Sequence, residues 1–351
     1  MENASAASFT NSSNSTDFSP QEEIFESMTL KAVRLAGYAV LFVFGVLGNL
    51  MVILAVRKPR MKTVTNVLIA NLGLADILVS LFNIPTVVTY AHLWHWPFGL
   101  VLCKVLSFLQ GWTLSASILT LLAIAIDRYW HIVLFRRRQM KLNEAFKAII
   151  VIWLSSVIVP SPLLIFSKTI SFGAGEEKVV FCEEIWPDMT SRQVYTMVVF
   201  LVLYLCPLAL ISWLYVLIAV WLRSMPAVPS SLTANKHQVH KRVIRMLVTV
   251  VALFALCWLP YHVVFIYVDY GSPSRSDVLV SAILFSQWLV FASSACNPCV
   301  YAVMNENYRR EFGTMLSFCA GRKRSRRRYS NDVTSRQRTA TTSSVMFVTS
   351  L

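Results

Sequence analysis

The sequence has few charged residues for its length. Asp, Glu, Lys and Arg make up 14% of 351 residues, well below the roughly 25% of an average soluble domain. Hydrophobic residues make up 56%, and the mean hydropathy is +0.58. A single globular core cannot bury apolar residues at this density, so a soluble helical bundle is the weaker alternative. A lipid bilayer is the expected environment.

Seven stretches are long and apolar enough to cross a bilayer as helices. They lie at about residues 31–56, 63–90, 100–130, 145–165, 194–222, 243–268 and 277–304. The sequence therefore predicts an all-α membrane protein. Residues 1–30 form an N-terminal tail, 31–304 a seven-helix bundle, 305–319 a short amphipathic helix and 320–351 a disordered tail.

Acidic residues are scarce and unevenly placed. There are 18 against 32 basic residues, a net charge of +14. If the N-terminus lies outside, 25 of the 32 basic residues fall on the cytoplasmic side and 12 of the 18 acids fall outside. This distribution follows the positive-inside rule and predicts a cytoplasmic C-terminus. It also predicts that the positive charge meets lipid headgroups and not nucleic acid.

The first 27 residues lack a basic leader and an apolar core, so no cleavable signal peptide is expected. They carry three glycosylation sequons, at Asn3, Asn11 and Asn14. These sequons are expected in an extracellular tail.

Few polar side chains occur inside the predicted spans, and each is costly in a bilayer. Asp76 in the second span must be neutralised or hydrogen-bonded. Its candidate partners, if the spans bundle, are Ser117, Ser293, Ser294 and Asn297. They form either a structural polar cluster or a site for a small cation such as sodium, and no other cofactor is expected.

Two motifs indicate parts of the helices that can move, one at the end of the third span and one at a kink inside the sixth. Asp127 and Arg128 are adjacent in "AIAIDRYWHI", at the cytoplasmic end of the third span. Pro260 in "ALCWLPYHV" kinks the sixth span, because proline removes a backbone hydrogen bond. Trp258 precedes the kink and Phe254 lies one turn below it. Ordinary aromatic packing remains the alternative for this pair.

In their order along the chain, these residues resemble the rhodopsin-like (class A) family of G-protein-coupled receptors. The matching elements cover about residues 32–318 and are "GN" at 48–49, "NLGLAD" at 71–76, Cys103, "DRY" at 127–129, Trp153, Pro207, Tyr215, "CWLP" at 257–260 and "NPCVY" at 297–301. The resemblance implies a two-state bundle that couples an outer ligand to a heterotrimeric G protein.

The resemblance also implies roles in activation. Arg128 would meet the G protein and be restrained at rest by Asp127, while Trp258 and Phe254 would respond to the ligand. The remaining positions of this switch are Tyr129, Tyr215, Pro260, Asn297, Pro298 and Tyr301. The sequence departs from the family after "DRYWHIV", where Leu134-Phe135 stands in place of a proline. The G-protein subtype therefore stays open.

Cys103 and Cys182 both lie on the outer side, where a disulfide persists. The loop around Cys182 has β-leaning segments on each side of residues 173–175 and is expected to form a hairpin. A 103–182 bridge would hold Glu183 and Glu184 over the mouth of the bundle.

An acidic rim attracts a cationic ligand, and a carboxylate can pair with an arginine through two hydrogen bonds. We expect Asp269, at the end of the sixth span, and Glu184 to bind an arginine near the C-terminus of a peptide. The other candidate ligand residues are Glu183, Gln110, Tyr90, His262, Phe265 and Gln287. A solvated acidic loop without a partner is the alternative.

Further absences narrow the ligand class. The third span has no acid before Asp127, whereas family members that bind biogenic amines carry a carboxylate at the position of Gln110. The seventh span has no lysine for a retinal Schiff base. Gln110, "CEEIW", Asp269 and "SSACNP" are most similar to the neuropeptide Y and prolactin-releasing-peptide receptor group. That likeness implies a peptide ending in Arg-Phe-amide or Arg-Tyr-amide, with a different cationic peptide as the alternative.

Other classes of protein fit less well. No nucleophile–base pair or metal-ligand cluster indicates an enzyme, and no inverted repeat or continuous polar stripe indicates a transporter or channel.

The cytoplasmic end carries three further signals. Cys319 ends the amphipathic segment and is a candidate palmitoylation site, with an inert thiol as the alternative. The Ser/Thr-rich tail predicts phosphorylation and arrestin binding, and its last residues, "TSL", resemble a PDZ ligand.

Overall fold

Long helices form most of the structure, a computed structural model that describes residues 28–93, 95–134, 140–173, 178–224, 231–271, 273–274 and 276–319. Within these residues, six helical stretches are long and apolar enough to cross a membrane: Lys31–Val56, Val64–Thr89, Gly99–Ile132, Met189–Ser224, Lys241–Gly271 and Val278–Met304. They correspond to the first, second, third, fifth, sixth and seventh predicted spans. The glycosylation sequons and the tail from residue 320 onward lie outside the described residues.

Three of the spans contain one wider, π-helical turn between two α-helical parts. In chain order, their parts are Met28–Val43, Phe44–Gly48 and Asn49–Val56; Val64–Leu78, Val79–Asn83 and Ile84–Leu93; and Met189–Phe200, Leu201–Leu205 and Cys206–Ser224. Such turns often occur at functional sites, because the extra residue re-aims the side chains that follow. The turn in the fifth span ends at Leu205, two residues before Pro207, which has no backbone N–H to donate.

The other long helices are continuous: Gly99–Ile132, Ser231–Gly271 and Asp277–Met304. The helix that contains the sixth span begins at Ser231, earlier than the predicted residue 243, because its first turns are polar and extend past the apolar window. Pro260 and Pro298 lie inside their helices, as the sequence predicts. The core lies along the third span, which packs against the second and fifth spans.

The fourth predicted span, 145–165, differs from a single helix. An α-helix runs from Leu142 to Ser155, turns follow over residues 156–162, and a short helix covers Leu163–Phe166. Pro160 and Pro162 cause this break, because neither can donate a helical hydrogen bond. The third span approaches the break closely. A Cβ atom added at Gly111 would lie 2.7 Å from Pro160 Cβ.

The predicted hairpin and its disulfide are present. Strand β1 (Ser167–Phe172) pairs antiparallel with β2 (Val179–Glu184), and Cys182 of β2 is bonded to Cys103. Val180 of β2 also binds the loop after the second span: its N–H donates to His95 Nδ1 (3.0 Å) and its carbonyl accepts from Trp96 N (2.7 Å). The hairpin is therefore fixed on two sides.

The predicted amphipathic helix spans Glu306–Cys319. Its Glu311 is 1% exposed and forms ion pairs with Lys58 and Arg60 of the loop after the first span. Phe318, in contrast, is 87% exposed. One face of the helix is thus held against the bundle while an apolar face is left for lipid. The side chain of Cys319 lies outside the described residues.

Candidate functional site

An open cavity lies between the hairpin and the outer ends of the second, third, sixth and seventh spans. Its volume is about 530 Å³, within the range of ligand pockets. Four predicted ligand residues line it, namely Gln110, Glu183, Phe265 and Gln287. Gln110 also lines a smaller cavity deeper in the bundle, so it lies between the outer opening and the buried polar cluster.

Asp269 does not line this cavity: it is almost fully buried, at 2% exposure, next to Val268, which does. Its Oδ1 lies 2.7 Å from Arg192 Nε of the fifth span, and its Oδ2 accepts a hydrogen bond from the Thr196 hydroxyl. Gln193 Nε2 donates to the Asp269 carbonyl over 2.9 Å. A buried charge needs such partners, and they join the outer ends of the fifth and sixth spans.

Glu184 ends β2 above these residues. Trp186 Nε1 donates to its Oε2 over 3.0 Å, and Trp186 stacks between Phe166 and Tyr195 at centroid distances of 4.3 and 4.7 Å. Solvent reaches the Glu184 side chain, yet the protein atoms around it raise its pKa, because leaving water disfavours the charged form. The Trp186 hydrogen bond and the Arg192 charge act in the opposite direction.

His262 is not among the residues that line the cavity. It is 4% exposed and packs against the rings of Tyr204 and Phe200, with centroid distances of 4.6 and 5.6 Å. Its predicted contact with a ligand therefore needs a rearrangement of these rings. The side chain of Tyr90 lies outside the described residues.

The sequence analysis missed Arg192 as a functional residue. The helix Met189–Phe200 begins after Asp188, whose carboxylate accepts hydrogen bonds from the Ser191 N–H and hydroxyl. These bonds hold the pKa of Asp188 below its usual range. A cation in this first turn opposes the helix dipole. Arg192 follows a loop rich in acidic residues and lies at an unfavourable position in the helix. This combination could have indicated from the sequence that Arg192 has a carboxylate partner.

The predicted polar cluster surrounds a deeper cavity of about 20 Å³, enough for one water molecule or an ion of similar size. Asp76, Ser117, Ser294 and Asn297 all line it. Asn297 Nδ2 donates to Asp76 Oδ2 over 2.8 Å. Trp258 and Phe254 form the wall toward the sixth span and stack on each other at 5.6 Å.

At the end of the bundle opposite the hairpin, Arg128 pairs with its neighbour Asp127. Arg128 Nη2 and Nε lie 2.8 and 3.2 Å from the same oxygen, Asp127 Oδ2, and the Thr65 hydroxyl donates to it over 2.7 Å. These residues line an open cavity of about 460 Å³. Arg128 is therefore held within the third span and close to the second.

The remaining switch positions lie nearby. Tyr215 is 7% exposed, and its hydroxyl has no hydrogen-bond partner among the described residues. Tyr301 is 1% exposed and packs on Tyr308 of the terminal helix, with ring centroids 5.5 Å apart. Tyr129 is partly buried at the end of the third span. A buried hydroxyl without a partner favours an alternative arrangement in which it gains one.

The helical bundle, the tethered outer hairpin and the two cavities at opposite ends define a multi-pass membrane protein with an outer and an inner binding face. Residues 48–301 match the model of the "7 transmembrane receptor (rhodopsin family)", and the chain belongs to this family. The match confirms the resemblance and the fold expected from the sequence. It also agrees with the prediction that the chain is not an enzyme, since the family is one of receptors.

Three relatives illustrate the position of the chain within the family. It is 36% identical to human (Homo sapiens) neuropeptide FF receptor 1 over 297 residues, which cover 80% of this chain and 69% of the relative. It is 34% identical to the pyroglutamylated RF-amide peptide receptor of Mus musculus over 305 residues, 82% and 70% of the two chains. It is also 34% identical to neuropeptide Y receptor type 2 of Mus musculus over 303 residues, 84% and 79%.

Proposed function

We propose that this chain is a plasma-membrane receptor for an amidated peptide that carries an arginine near its C-terminus, of the Arg-Phe-amide or Arg-Tyr-amide type, and that it activates a heterotrimeric G protein. The main support is the outer cavity, which is lined by Glu183 and by Arg192, the ion-pair partner of the buried carboxylate of Asp269. The names of relatives for neuropeptide FF, RF-amide peptide and neuropeptide Y point the same way.

The peptide would enter from outside the cell, with its amidated end toward Gln110 and Gln287. Amide side chains donate and accept hydrogen bonds without adding charge, which suits a neutral carboxamide. Phe265 would pack against the terminal aromatic ring. The peptide's arginine would reach Asp269, where a guanidinium gains most from a carboxylate that is shielded from water.

The same proposal places the N-terminus outside and the cavity at Arg128 in the cytoplasm, facing the G protein. It includes arrestin binding to the phosphorylated tail and a PDZ partner at the terminal "TSL".

A sodium ion is part of the proposal as an allosteric ligand. The residues around the deeper cavity fit it, because a carboxylate and hydroxyl oxygens are donors for a hard cation and the space suits one small ion. Asp76 would hold it, with Ser117 and Ser294. Sodium should then lower agonist affinity in wild-type membranes when it replaces a larger monovalent cation at equal ionic strength. An Asp76→Asn variant with the same sodium sensitivity would contradict this site.

A peptide panel tests the function. Cells that express the chain would receive peptides ending in Arg-Phe-amide, Arg-Tyr-amide, the free acids and citrulline-Phe-amide, with G-protein activation as the readout. We expect the arginine amides to be active and the free acids and the citrulline peptide to be much weaker. Cells without the chain are the control. Activation by an unrelated cationic peptide, together with silence toward all arginine amides, would reject the proposal.

A further inference from the structure

The carboxylate proposed to receive the peptide's arginine is already occupied by the chain itself. Asp269 Oδ1 lies 2.7 Å from Arg192 Nε, and Oδ2 accepts the Thr196 hydroxyl hydrogen bond. A second guanidinium that pairs with this carboxylate through two hydrogen bonds needs both oxygens. An incoming arginine can therefore pair fully with Asp269 only after Arg192 has moved.

Arg192 is the partner that is free to move. Its side chain is 35% exposed and lines the outer cavity, whereas that of Asp269 is 2% exposed. Arg192 also lies in the first turn of a helix, where the dipole disfavours a cation. Moving the carboxylate instead would break its two contacts to the fifth span, those of Arg192 and Thr196, while Gln193 holds the backbone of Asp269 in place.

A second acid, Glu184, lies near the same helix end. Its partner Trp186 packs on Tyr195, which is three residues after Arg192 in the fifth span, and the charge of Arg192 acts on Glu184. Trp186 donates to Glu184 Oε2, which leaves Oε1 as an acceptor. Pairing with Glu184 would keep Arg192 neutralised and would offset part of the cost of losing Asp269.

We propose that Arg192 is a built-in competitor of the ligand: it holds Asp269 in the free receptor, and the peptide's arginine displaces it toward Glu184. This inference rests on the proposed function and concerns the same cavity. In this exchange Glu184 receives the receptor's own arginine, whereas the sequence analysis expected it to bind the peptide. The exchange also selects ligands, because a neutral side chain that displaced Arg192 would leave a buried charge without a partner.

Competition binding on membranes that contain the full chain tests the exchange. The probes are a peptide ending in Arg-Phe-amide and its analogue with citrulline, which has the shape of arginine without the charge. We expect Arg192→Gln to lower the Ki of the arginine peptide about tenfold, an effect between that of an exposed ion pair and that of a fully buried one, because Arg192 is 35% and Asp269 2% exposed. The Ki of the citrulline peptide should change by less than about threefold.

Two further variants make the result specific. Lys178→Gln removes a positive charge just before β2 without touching Asp269, so it measures the general effect of charge at the mouth. In an Asp269→Asn background, Arg192→Gln should no longer improve binding, because no carboxylate remains to compete for.

The outcomes separate the two proposals. If the wild type binds the arginine peptide but Arg192→Gln leaves its Ki unchanged or raises it, the exchange is wrong and the proposed function stands. An equal gain with Lys178→Gln would also overturn the exchange, since charge alone would explain it. If the wild type binds neither peptide, the proposed function fails first.

Discussion

The pairing of Asp269 with a peptide arginine gives the most quantitative prediction. Asp269→Asn keeps the shape of the side chain and an oxygen for the Thr196 hydroxyl, but removes the charge. Truncating one partner of a buried ion pair costs about 3 kcal/mol or more, and Asp269 is 2% exposed. If displacing Arg192 costs the peptide tenfold in affinity, it reduces the favourable binding free energy of the arginine–Asp269 pair by about 1.4 kcal/mol. About 1.6 kcal/mol remains, so the variant should bind the arginine peptide roughly 15-fold more weakly.

A double-mutant cycle isolates this pair from other effects of the substitution. Wild type and Asp269→Asn are each titrated with the arginine peptide and with the citrulline peptide, and Ki is measured on the same membranes. The citrulline peptide should lose affinity in the wild type and lose little more in the variant. If Asp269→Asn weakens both peptides by the same factor, the carboxylate does not pair with the arginine, and the assignment of Asp269 would be refuted.

Three other predictions test the rest of the molecule. Cys182→Ser should abolish peptide binding or surface expression, because the hairpin loses its bond to the third span; a variant that binds and reaches the surface normally would contradict the tether. Arg128→Ala should keep peptide affinity and impair G-protein activation, so unchanged coupling would remove its assigned role. Gly111→Ala should lower the free energy of unfolding of the purified receptor by about 1–3 kcal/mol, and with it the melting temperature, because the added methyl group would overlap Pro160. Gly313→Ala, where a Cβ meets nothing within 4 Å, should be neutral or stabilising, and equal melting temperatures for both variants would disprove the clash.

Features that depend on local composition could be predicted from the sequence. Hydropathy placed six of the spans to within a few residues, since apolar length alone decides whether a helix can cross. The polar turns that extend the sixth helix back to Ser231 lie outside its apolar window. The pairing of Cys103 with Cys182 followed from their shared outer location.

Features that depend on side-chain direction could not be predicted. The window at 145–165 is predominantly apolar, and its hydropathy hides the break that Pro160 and Pro162 cause. His262 lies on the sixth span, as expected, but a one-dimensional pattern does not give the rotation that packs it on Tyr204. The Arg192–Asp269 pair joins helices far apart in sequence, so only their packing brings the two charges together.

The attachment of Val180 to His95 and Trp96 has a consequence for how a ligand arrives. Both backbone groups of Val180 are bound, and Cys182, two residues further along the strand, is cross-linked to the third span. The entrance to the cavity should therefore keep its shape whether or not a peptide is bound. On binding, a flexible peptide then loses conformational entropy, whereas the receptor loses little. Differences in affinity among peptides should accordingly reflect how readily each peptide adopts the conformation that fits this rigid entrance.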